Sequence, residues 1–285
     1  MPGDPDRYPH RDEVVAYLRE YASHLDADLR CGQLVERTER DGDGFVLTTA
    51  DGSQVRTPAV VSATGGFTRP HRPTLPGLAD FTGTVLHAAG YRSPEPFAGQ
   101  RVVVVGGGNS GVQIATELAD MARGSLATRT PVAWANQRPL GRDVHWWFVR
   151  SGLDAAPLRR IWERGPVLVN DDGRYRAAFA SGNPDQREMF TRLEGEKVVW
   201  ADGTVEKMDT VLLATGYRPT LDHLAATGAL DSHGSPLHRG GVSTTAPGLG
   251  YVGLEFQRSF SSATLRGVGR DARHVVQRLL AHVRR

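Results

Sequence analysis

The chain has 285 residues, of which 39% are hydrophobic and 23% charged, and its formal net charge is +2 at pH 7. This length allows two modest domains or one large one, and the composition is that of an ordinary globular protein. The near balance of charge, without long runs of lysine or arginine, argues against a nucleic-acid partner, and no apolar stretch approaches the roughly 18 residues of a membrane span.

Cys31 is the single cysteine of the chain. It excludes an internal disulfide and a Cys-x-x-Cys redox pair, and it is typical of a reducing cytoplasm. The ten histidines fall in no H-x-x-x-H or H-E-x-x-H spacing, so we predict no metal site. We therefore expect a cytoplasmic protein without a nucleic-acid or membrane partner.

The first predicted element is an amphipathic helix over 11–25, whose apolar stripe consists of Val14, Val15, Leu18, Tyr21 and Leu25. Strand patterns follow at 29–39, 44–49 and 54–57, with Asp-Gly pairs in the turns between them. Such pairs between alternating runs are strong hairpin signals. An apolar strand over 59–62 ends this meander and leads into Ala63-Thr64-Gly65.

The most informative stretch is 101–120, RVVVVGGGNSGVQIATELAD. Four valines predict a buried strand, and the apolar residues after the glycines recur at helical spacing. Gly106, Gly108 and Gly111 fill the G-x-G-x-x-G pattern, which allows a tight turn, close backbone approach to a pyrophosphate and close helix–strand packing. The unpaired amides of the helix N-terminus attract phosphate. We predict a nucleotide site at this turn, which also contains Gly107, Asn109 and Ser110.

The choice of nucleotide depends on the strand that follows. Residues 131–135 (PVAWA) predict the second strand of this unit, and Asn136, Gln137 and Arg138 come after it. No acidic residue is present there to bind a ribose hydroxyl, and Arg138 is placed to meet a 2′-phosphate. This favours NADP over NAD. The alternative is that Arg138 is a solvated loop cation.

One pattern occurs twice. Ala-Asp-Gly precedes Ala-Thr-Gly by thirteen residues at 50 and 63, and again at 201 and 214. Such similarity predicts two copies of one supersecondary unit, with Thr64 and Gly65 equivalent to Thr215 and Gly216. In the second copy Gly106 lies 108 residues before Ala214, so the equivalent glycine turn of the first copy would fall about 45 residues before Met1. We therefore expect the chain to begin inside a domain.

The segment from Phe81 to Tyr91 reads F-x-G-x-x-x-H-x-x-x-Y. It resembles the fingerprint of the flavin-containing monooxygenases. The GGGNSG turn, both ATG segments and the opening YPHRDEVVAYL also resemble bacterial members of that superfamily, and the resemblance covers essentially the whole chain. Without it, His87 would be interpreted as a hydrogen-bonded structural histidine.

The resemblance implies an α/β fold with two Rossmann-like, three-layer dinucleotide-binding domains, the first incomplete at its N-terminus. Residues 1–92 and 217–285 would form the partial FAD-binding domain, and 93–216 the NADPH-binding domain. The implied function is an FAD- and NADPH-dependent monooxygenase: hydride passes from NADPH to the flavin, which then activates molecular oxygen to oxidise a small-molecule substrate. A homodimer is a further expectation.

The resemblance also implies roles for site residues, although no catalytic side chain is named. The turn residues and Arg138 would hold NADPH, while Thr64, Gly65, Thr215 and Gly216 would line the junction with the flavin. His87 and Tyr91 are fingerprint positions at the link between the domains. The chain departs from the family in having no FAD glycine motif, which leaves three explanations: a reading frame that starts late, a truncated protein that binds NADPH but little or no FAD, or completion in trans by a partner or by a second copy of the chain.

An alternative function therefore stays open, namely an NADP(H)-binding pseudoenzyme or redox sensor without bound FAD. A disulfide reductase is excluded by the single cysteine. Near the middle of the chain, 143–150 (DVHWWFVR) predicts the start of a helix that either contacts nicotinamide or substrate or only packs in the core. The last predicted elements are a strand over 250–254 and a helix beginning near Ser262. In relatives this helix closes over the flavin.

Overall fold

The computed structural model describes residues 7–157 and 165–284. Its helices are α1 (Arg11–Ser23), α2 (Asn109–Leu118), α3 (Val144–Ser151), α4 (Arg174–Ala180) and α5 (Val268–Val283). Its strands are β1 (Val35–Asp41), β2 (Gly44–Thr49), β3 (Gln54–Thr57), β4 (Val60–Ser62), β5 (Arg69–Pro70), β6 (Thr84–His87), β7 (Arg101–Val105), β8 (Arg123–Thr128), β9 (Ala133–Asn136), β10 (Leu168–Asp171), β11 (Asp185–Glu188), β12 (Arg192–Glu194), β13 (Lys197–Val199), β14 (Val205–Lys207), β15 (Thr210–Leu213), β16 (Tyr217–Arg218), β17 (His238–Arg239), β18 (Val242–Ser243) and β19 (Leu249–Tyr251).

A five-stranded parallel sheet in the order β11-β8-β7-β15-β6 forms the centre of the molecule. The valines of β7 are buried and alternate between two cores, as strand geometry requires. Val102 and Val104 pack with α2, while Val103 and Val105 pack with the antiparallel sheet β12-β13-β14 on the other face. The α/β fold with a three-layer, Rossmann-like unit is therefore confirmed.

A second sheet, in the order β17-β18-β19-β4, contains one parallel pair, β19 with β4. Its core contains Phe45 of the neighbouring meander and Tyr251 of β19, and α5 packs Val275 and Leu279 beside Val252. This sheet contains the first ATG strand, and the five-stranded sheet contains the second. The internal repeat is therefore visible as two strands, β4 and β15, in two sheets.

The N-terminal predictions are confirmed, except that the first strand begins at Val35, six residues after its predicted start. The meander β1-β2-β3 is antiparallel, and its two turns contain the Asp-Gly pairs. Helix α1 also forms, but none of its residues is buried. Its apolar side chains remain well exposed, including Leu18 at 45% and Tyr21 at 56%.

The structure corrects the prediction for the second strand of the central unit. The strand beside β7 is β8, whereas the 131–135 segment lies largely in β9, which pairs with β10 in a separate two-stranded sheet. The β8 sequence, RGSLAT, contains mostly small side chains because it is tightly enclosed between β7 and β11. Such a strand lacks the apolar run that periodicity detects.

The last helix begins at Val268, six residues after the predicted start near Ser262. Serine hydroxyls compete with the helix there, because the Ser262 hydroxyl accepts hydrogen bonds from the Arg258 and Ser259 amides at 3.0 Å. Gly267 also lies against Ser261 so closely that an added Cβ would be 2.2 Å from the Ser261 carbonyl oxygen. The segment before α5 is consequently a series of turns.

Candidate functional site

The glycine turn connects β7 to α2, as the sequence predicts. Gly106 has φ +126°, and a Cβ atom there would lie 2.3 Å from the Ala214 carbonyl oxygen. A Cβ atom on Gly111 would lie 1.9 Å from the Gly106 carbonyl oxygen. Both positions therefore require glycine: the first because of its backbone conformation and both because of close approach.

The N-terminus of α2 is open toward the turn. Gly108 is the N-cap residue, and no described side chain caps the helix there. A Cβ atom on Gly108 would meet only Val167 Cγ1, at 3.7 Å, and Ser110 is exposed in the first helical turn. Backbone amides and the helix dipole are the features that bind a phosphate group at such a terminus.

Asn109 has a different contact from the one expected of a cofactor ligand. Its side-chain amide donates to the Leu168 carbonyl (3.2 Å) and accepts from the Asn170 amide (3.3 Å). The side chain thus fixes β10 beside the start of α2, and only the backbone of Asn109 faces the turn.

The corrected strand order brings Arg129 to the site. A Cβ atom on Gly107 would lie 3.1 Å from Thr128 Cγ2, so the end of β8 contacts the glycine turn. Arg129 follows immediately, is exposed, and makes no hydrogen bond or ion pair with any residue between 7 and 157 or between 165 and 284. Sequence reasoning missed it because the second strand was assigned to the wrong segment. The usual offset of about 20 residues from the first glycine would have found it.

Arg138 lies farther from the turn. The start of β9 is close to the glycine turn, since Val132 Cγ2 would be 3.8 Å from a Cβ atom on Gly107. Arg138 comes two residues after the other end of β9, and the strand from Val132 to Asn136 spans roughly 13 Å at 3.3 Å per residue. The strand assignment on which its predicted role depended is wrong, and the role itself stays a prediction.

The two ATG turns meet through a short antiparallel ribbon of β5 and β16. The Thr64 hydroxyl donates to the Thr220 carbonyl (3.4 Å), and the Thr215 hydroxyl donates to the His71 carbonyl. Gly65 and Gly216 both have positive φ, +69° and +80°. Each turn therefore contacts the chain that follows the other turn, which makes the ribbon the covalent and hydrogen-bonded link between the two sheets.

His87 is buried at the end of β6 and holds the second ATG turn. Its Nδ1 accepts from the Ala89 amide (3.0 Å), so Nε2 carries the hydrogen and donates to the Gly216 carbonyl (3.1 Å). Burial lowers the pKa of His87, although the hydrogen bond to Gly216 acts in the opposite direction. The neutral ring is thus a structural support for Gly216.

Tyr91 packs near the end of α2 that is remote from the glycine turn. Its hydroxyl donates to Glu117 Oε2 (3.1 Å), and its ring stacks on Phe97 with centroids 5.8 Å apart. Burial and the Glu117 carboxylate raise the pKa of Tyr91. Glu117 is eight residues after Asn109, which corresponds to about 12 Å along the helix axis. The fingerprint tyrosine therefore packs against the helix rather than reaching the turn.

The aromatic segment forms α3, capped by Asp143, whose side chain accepts from the His145 amide (2.8 Å). His145 and Phe148 pack against Phe260, with ring centroids 6.1 and 5.4 Å away. The helix thus contacts the C-terminal segment. Across 7–157 and 165–284, no group of His, Cys, Asp and Glu side chains could hold a metal ion, and no helix is long and apolar enough to cross a membrane.

Comparison with known proteins identifies relatives along the whole chain. Residues 4–142 match the family described as pyridine nucleotide-disulphide oxidoreductase. A double mutant of the flavin monooxygenase from Stenotrophomonas maltophilia is 32% identical with a TM-score of 0.84, and the match covers 99% of this chain and 80% of that one. The "uncharacterized oxidoreductase CzcO-like" of Geobacillus kaustophilus is 28% identical (99% and 81% covered), and the rice indole-3-pyruvate monooxygenase YUCCA4 is 27% identical (97% and 72% covered).

Proposed function

This chain belongs to the flavin monooxygenase family, and we propose that the glycine turn between β7 and α2 binds the NADPH that such an enzyme consumes. The protein is an oxidoreductase whose cofactors are FAD and NADPH and whose other reactants are molecular oxygen and a small-molecule substrate. When both cofactors are bound, NADPH supplies hydride to the flavin, which in turn activates oxygen. The residues of the glycine turn would bind and orient the nucleotide.

One observation carries the proposal for NADPH. Gly106 and Gly111 are each too close to a backbone oxygen to bear a side chain, and together they leave the amides of the α2 N-terminus open. A pyrophosphate fits this arrangement because it accepts hydrogen bonds from the amides and is stabilised by the helix dipole. Gly107, Gly108 and the backbone of Asn109 would line it, with the Ser110 hydroxyl at its rim.

The position of Arg129 favours NADPH over NAD, because its guanidinium would bind the 2′-phosphate that distinguishes NADPH. It follows the end of β8, where a dinucleotide-binding unit places the residue that distinguishes NAD from NADP. A guanidinium binds phosphate with parallel hydrogen bonds, and this one has no competing partner among the described residues. Arg138, beyond β9, would act as a second and more distant cation.

FAD fits the described residues only in part. Thr64 and Gly65, with Thr215 and Gly216, would line the junction of the two sheets where the flavin ring is expected. The parallel strand, glycine turn and helix that cradle a pyrophosphate occur only once in the described residues, after β7.

The proposed division into units follows the repeat. Residues 1–92 with 217–285 would form the unit on the flavin side, and 93–216 the unit for NADPH. Strand β6 pairs in register with β15. It therefore belongs to the first unit by sequence and to the sheet of the second unit by pairing. A cytoplasmic homodimer is a further proposal, and the single exposed cysteine supports the reducing compartment.

A second candidate function is an NADP(H)-binding protein that does not retain FAD. The observation that favours it is the single copy of the glycine turn in the described residues. The absorption spectrum of the purified protein distinguishes the two: a yellow protein that NADPH bleaches and air restores is the oxidoreductase, and a colourless protein that binds NADPH is the alternative.

The test of the NADPH site is Gly108→Asp. The backbone of Gly108 has φ −86°, and an added Cβ would make only an ordinary contact with Val167, so the fold tolerates the side chain. The new carboxylate would repel the pyrophosphate, and we expect NADPH affinity by calorimetry to fall at least about tenfold, or ~1.4 kcal/mol. Gly269→Asp, on α5 with open space around it, is the matched control. Equal affinity in both variants would contradict the assignment.

A further inference from the structure

Helix α3 is joined to two parts of the molecule that are distant in sequence. The Val144 amide donates to the Gln137 carbonyl (2.8 Å). Trp147 Nε1 donates to the Pro139 carbonyl (2.9 Å). These bonds connect the helix to the segment that follows β9 and carries Arg138. The other junction is with the turns between β19 and α5, on which the aromatic side chains of α3 pack.

A cluster of aromatic rings forms the centre of the second junction. The centroid of the His145 ring lies 6.1 Å from that of Phe260 and 6.2 Å from that of Phe148. The Phe148 and Phe260 rings are 5.4 Å apart. Phe256, whose backbone has φ +50°, adds a fourth ring at 6.4 Å from Phe260. His145 is thus a titratable ring within a contact that is otherwise apolar.

Polar contacts at both ends of α3 hold the helix against the aromatic cluster. After the helix, the buried carboxylate of Asp154 binds Arg266 (2.6 Å) and Arg270 (3.0 Å). Before it, the Tyr8 hydroxyl donates to Oδ2 of Asp143 (2.8 Å), which caps the helix. The two arginines and the tyrosine belong to the proposed unit on the flavin side, whereas α3 belongs to the proposed unit for NADPH. The junction therefore crosses from one proposed unit to the other.

The charges around His145 balance while its ring is neutral. The titratable and charged side chains of this junction are Asp143, Asp154, Arg266, Arg270 and Tyr8. Two carboxylates face two guanidinium groups. The tyrosine carries no charge near neutral pH, because burial and the neighbouring carboxylate raise the pKa of Tyr8 to about 12. A proton on the imidazole would therefore add one positive charge without a counter-charge.

The surroundings of the His145 ring disfavour that proton. Its Nδ1 atom is buried and has no hydrogen-bond partner among the described residues, so an N–H group there would lack an acceptor. Burial lowers the pKa of His145, and the Arg266 guanidinium lowers it further, while Asp143 and Asp154 act in the opposite direction. The packed position against Phe260 thus favours the neutral ring.

We infer that the contact between His145 and Phe260 is a pH-sensitive clamp, which is closed while the ring is neutral and opens when the ring takes up a proton. In the open form the ring is in water and binds the proton more readily, so acid favours opening. For a histidine with the usual pKa of 6.5 in the open form, the ratio of open to closed molecules rises by up to about tenfold between pH 7.5 and pH 5.5. Opening would also release the segment that carries Arg138, and only this consequence rests on the proposed function.

Hydrogen exchange of the full chain, corrected for the intrinsic effect of pH on exchange, measures the opening. From pH 7.5 to pH 5.5 we expect the protection of residues 143–154 to fall by about threefold to tenfold, while α2 keeps its protection. His145→Phe retains an aromatic ring that cannot titrate, and His145→Gln repeats the test with a polar side chain; neither should show the fall. His223→Asn is the matched control, because burial also lowers the pKa of His223 but this residue lies in the turn after β16. It should leave the response intact.

Phe260→Ala tests the contact without a titration and should lower the protection of 143–154 at both pH values. Melting curves establish that each variant is folded. Four outcomes would overturn the inference: the same fall of protection in the wild type and in both His145 variants, loss of the response in His223→Asn, full protection of 143–154 in Phe260→Ala, and an equal acid loss in α2, since the whole molecule would then be opening. NADPH affinity by calorimetry at pH 7.5 reports separately on the proposed function, because a chain that binds no NADPH would still show the exchange response.

Discussion

The two copies of the ATG unit give the same local structure in different surroundings. In the second copy, β15 is enclosed by two parallel strands and its residues are buried. In the first copy, β4 pairs on only one side within the part of the chain that the structure describes, and Val61 is exposed. Sequence similarity therefore determines the strand and the turn, but the neighbours determine how much apolar surface is removed from water.

The difference extends to the helices. Helix α2 buries five of its ten residues against the central sheet, while α1, whose apolar stripe is weaker, buries none. Helical stability in proteins comes mainly from packing of the apolar face. The second unit thus holds its glycine turn on a packed scaffold, whereas the first presents apolar surface that the described residues leave uncovered.

The largest expected effect comes from truncating the matched strand residues. Leu212→Ala removes a fully buried side chain from the core that contains Val104 and Val112, and we expect it to lower the free energy of unfolding by about 2–5 kcal/mol. Val61→Ala should cost less than about 1 kcal/mol, because Val61 is already 39% exposed. Urea denaturation measures both. Similar losses would mean that β4 is covered in solution.

Most of the fold could be predicted from sequence because its signals are local. The hairpins of β1–β3, the strand β7 and the glycine turn each depend on neighbours within a few residues. The pairing of β8 with β7 does not depend on local signals. Whether RGSLAT or PVAWA becomes the strand beside β7 is decided by the elements that enclose that strand. The small side chains of β8 fit a strand between two others, and periodicity could not show that.

Within the candidate site, only the glycine turn could be predicted, because only its signal is local. Gly106 and Gly111 are required by contacts made inside one strand–turn–helix unit. Arg129 was missed and Arg138 chosen because their distance from the turn depends on strand order in space. Tyr91 belongs to a motif, but its contact with Glu117 places it near the other end of α2.

An intermediate loss of stability is expected where the segment after α3 contacts the C-terminal segment. Asp154 is buried after α3 and binds Arg266 (2.6 Å) and Arg270 (3.0 Å), which belong to the C-terminal segment. Asp154→Asn leaves these cations without a carboxylate, and we expect a loss of roughly 2 kcal/mol, below the 3–5 of fully buried pairs because both arginines are partly exposed.

The pH dependence has a defined sign. Burial alone would raise the pKa of Asp154, but Arg266, Ser261 and Arg270 together hold it below its usual range. The unfolded chain therefore binds a proton more readily, and this stabilisation, present above about pH 4, is lost as the pH falls through the folded pKa. Urea titrations from pH 7 to pH 3 should show a smaller acid loss in Asp154→Asn. A loss equal to that of the wild type would contradict the role of the carboxylate.

The smallest expected effect is a pH dependence of stability that arises at the second ATG turn. His87 supports Gly216 in the second turn, with Nδ1 accepting and Nε2 donating a hydrogen bond. Burial lowers its pKa from the usual 6.5, so the unfolded chain takes up the proton first as the pH falls. The folded state then loses stability from about pH 6.5 downward until the folded pKa is reached.

His87→Asn isolates this contribution, because asparagine can still accept from the Ala89 amide but does not titrate. Other histidines with lowered pKa, His145, His223 and His274, titrate in both proteins. The difference between the two stability curves should therefore shrink as the pH falls from 7 toward 5, since residue 87 takes up a proton only in the wild type. Parallel curves would contradict the lowered pKa of His87.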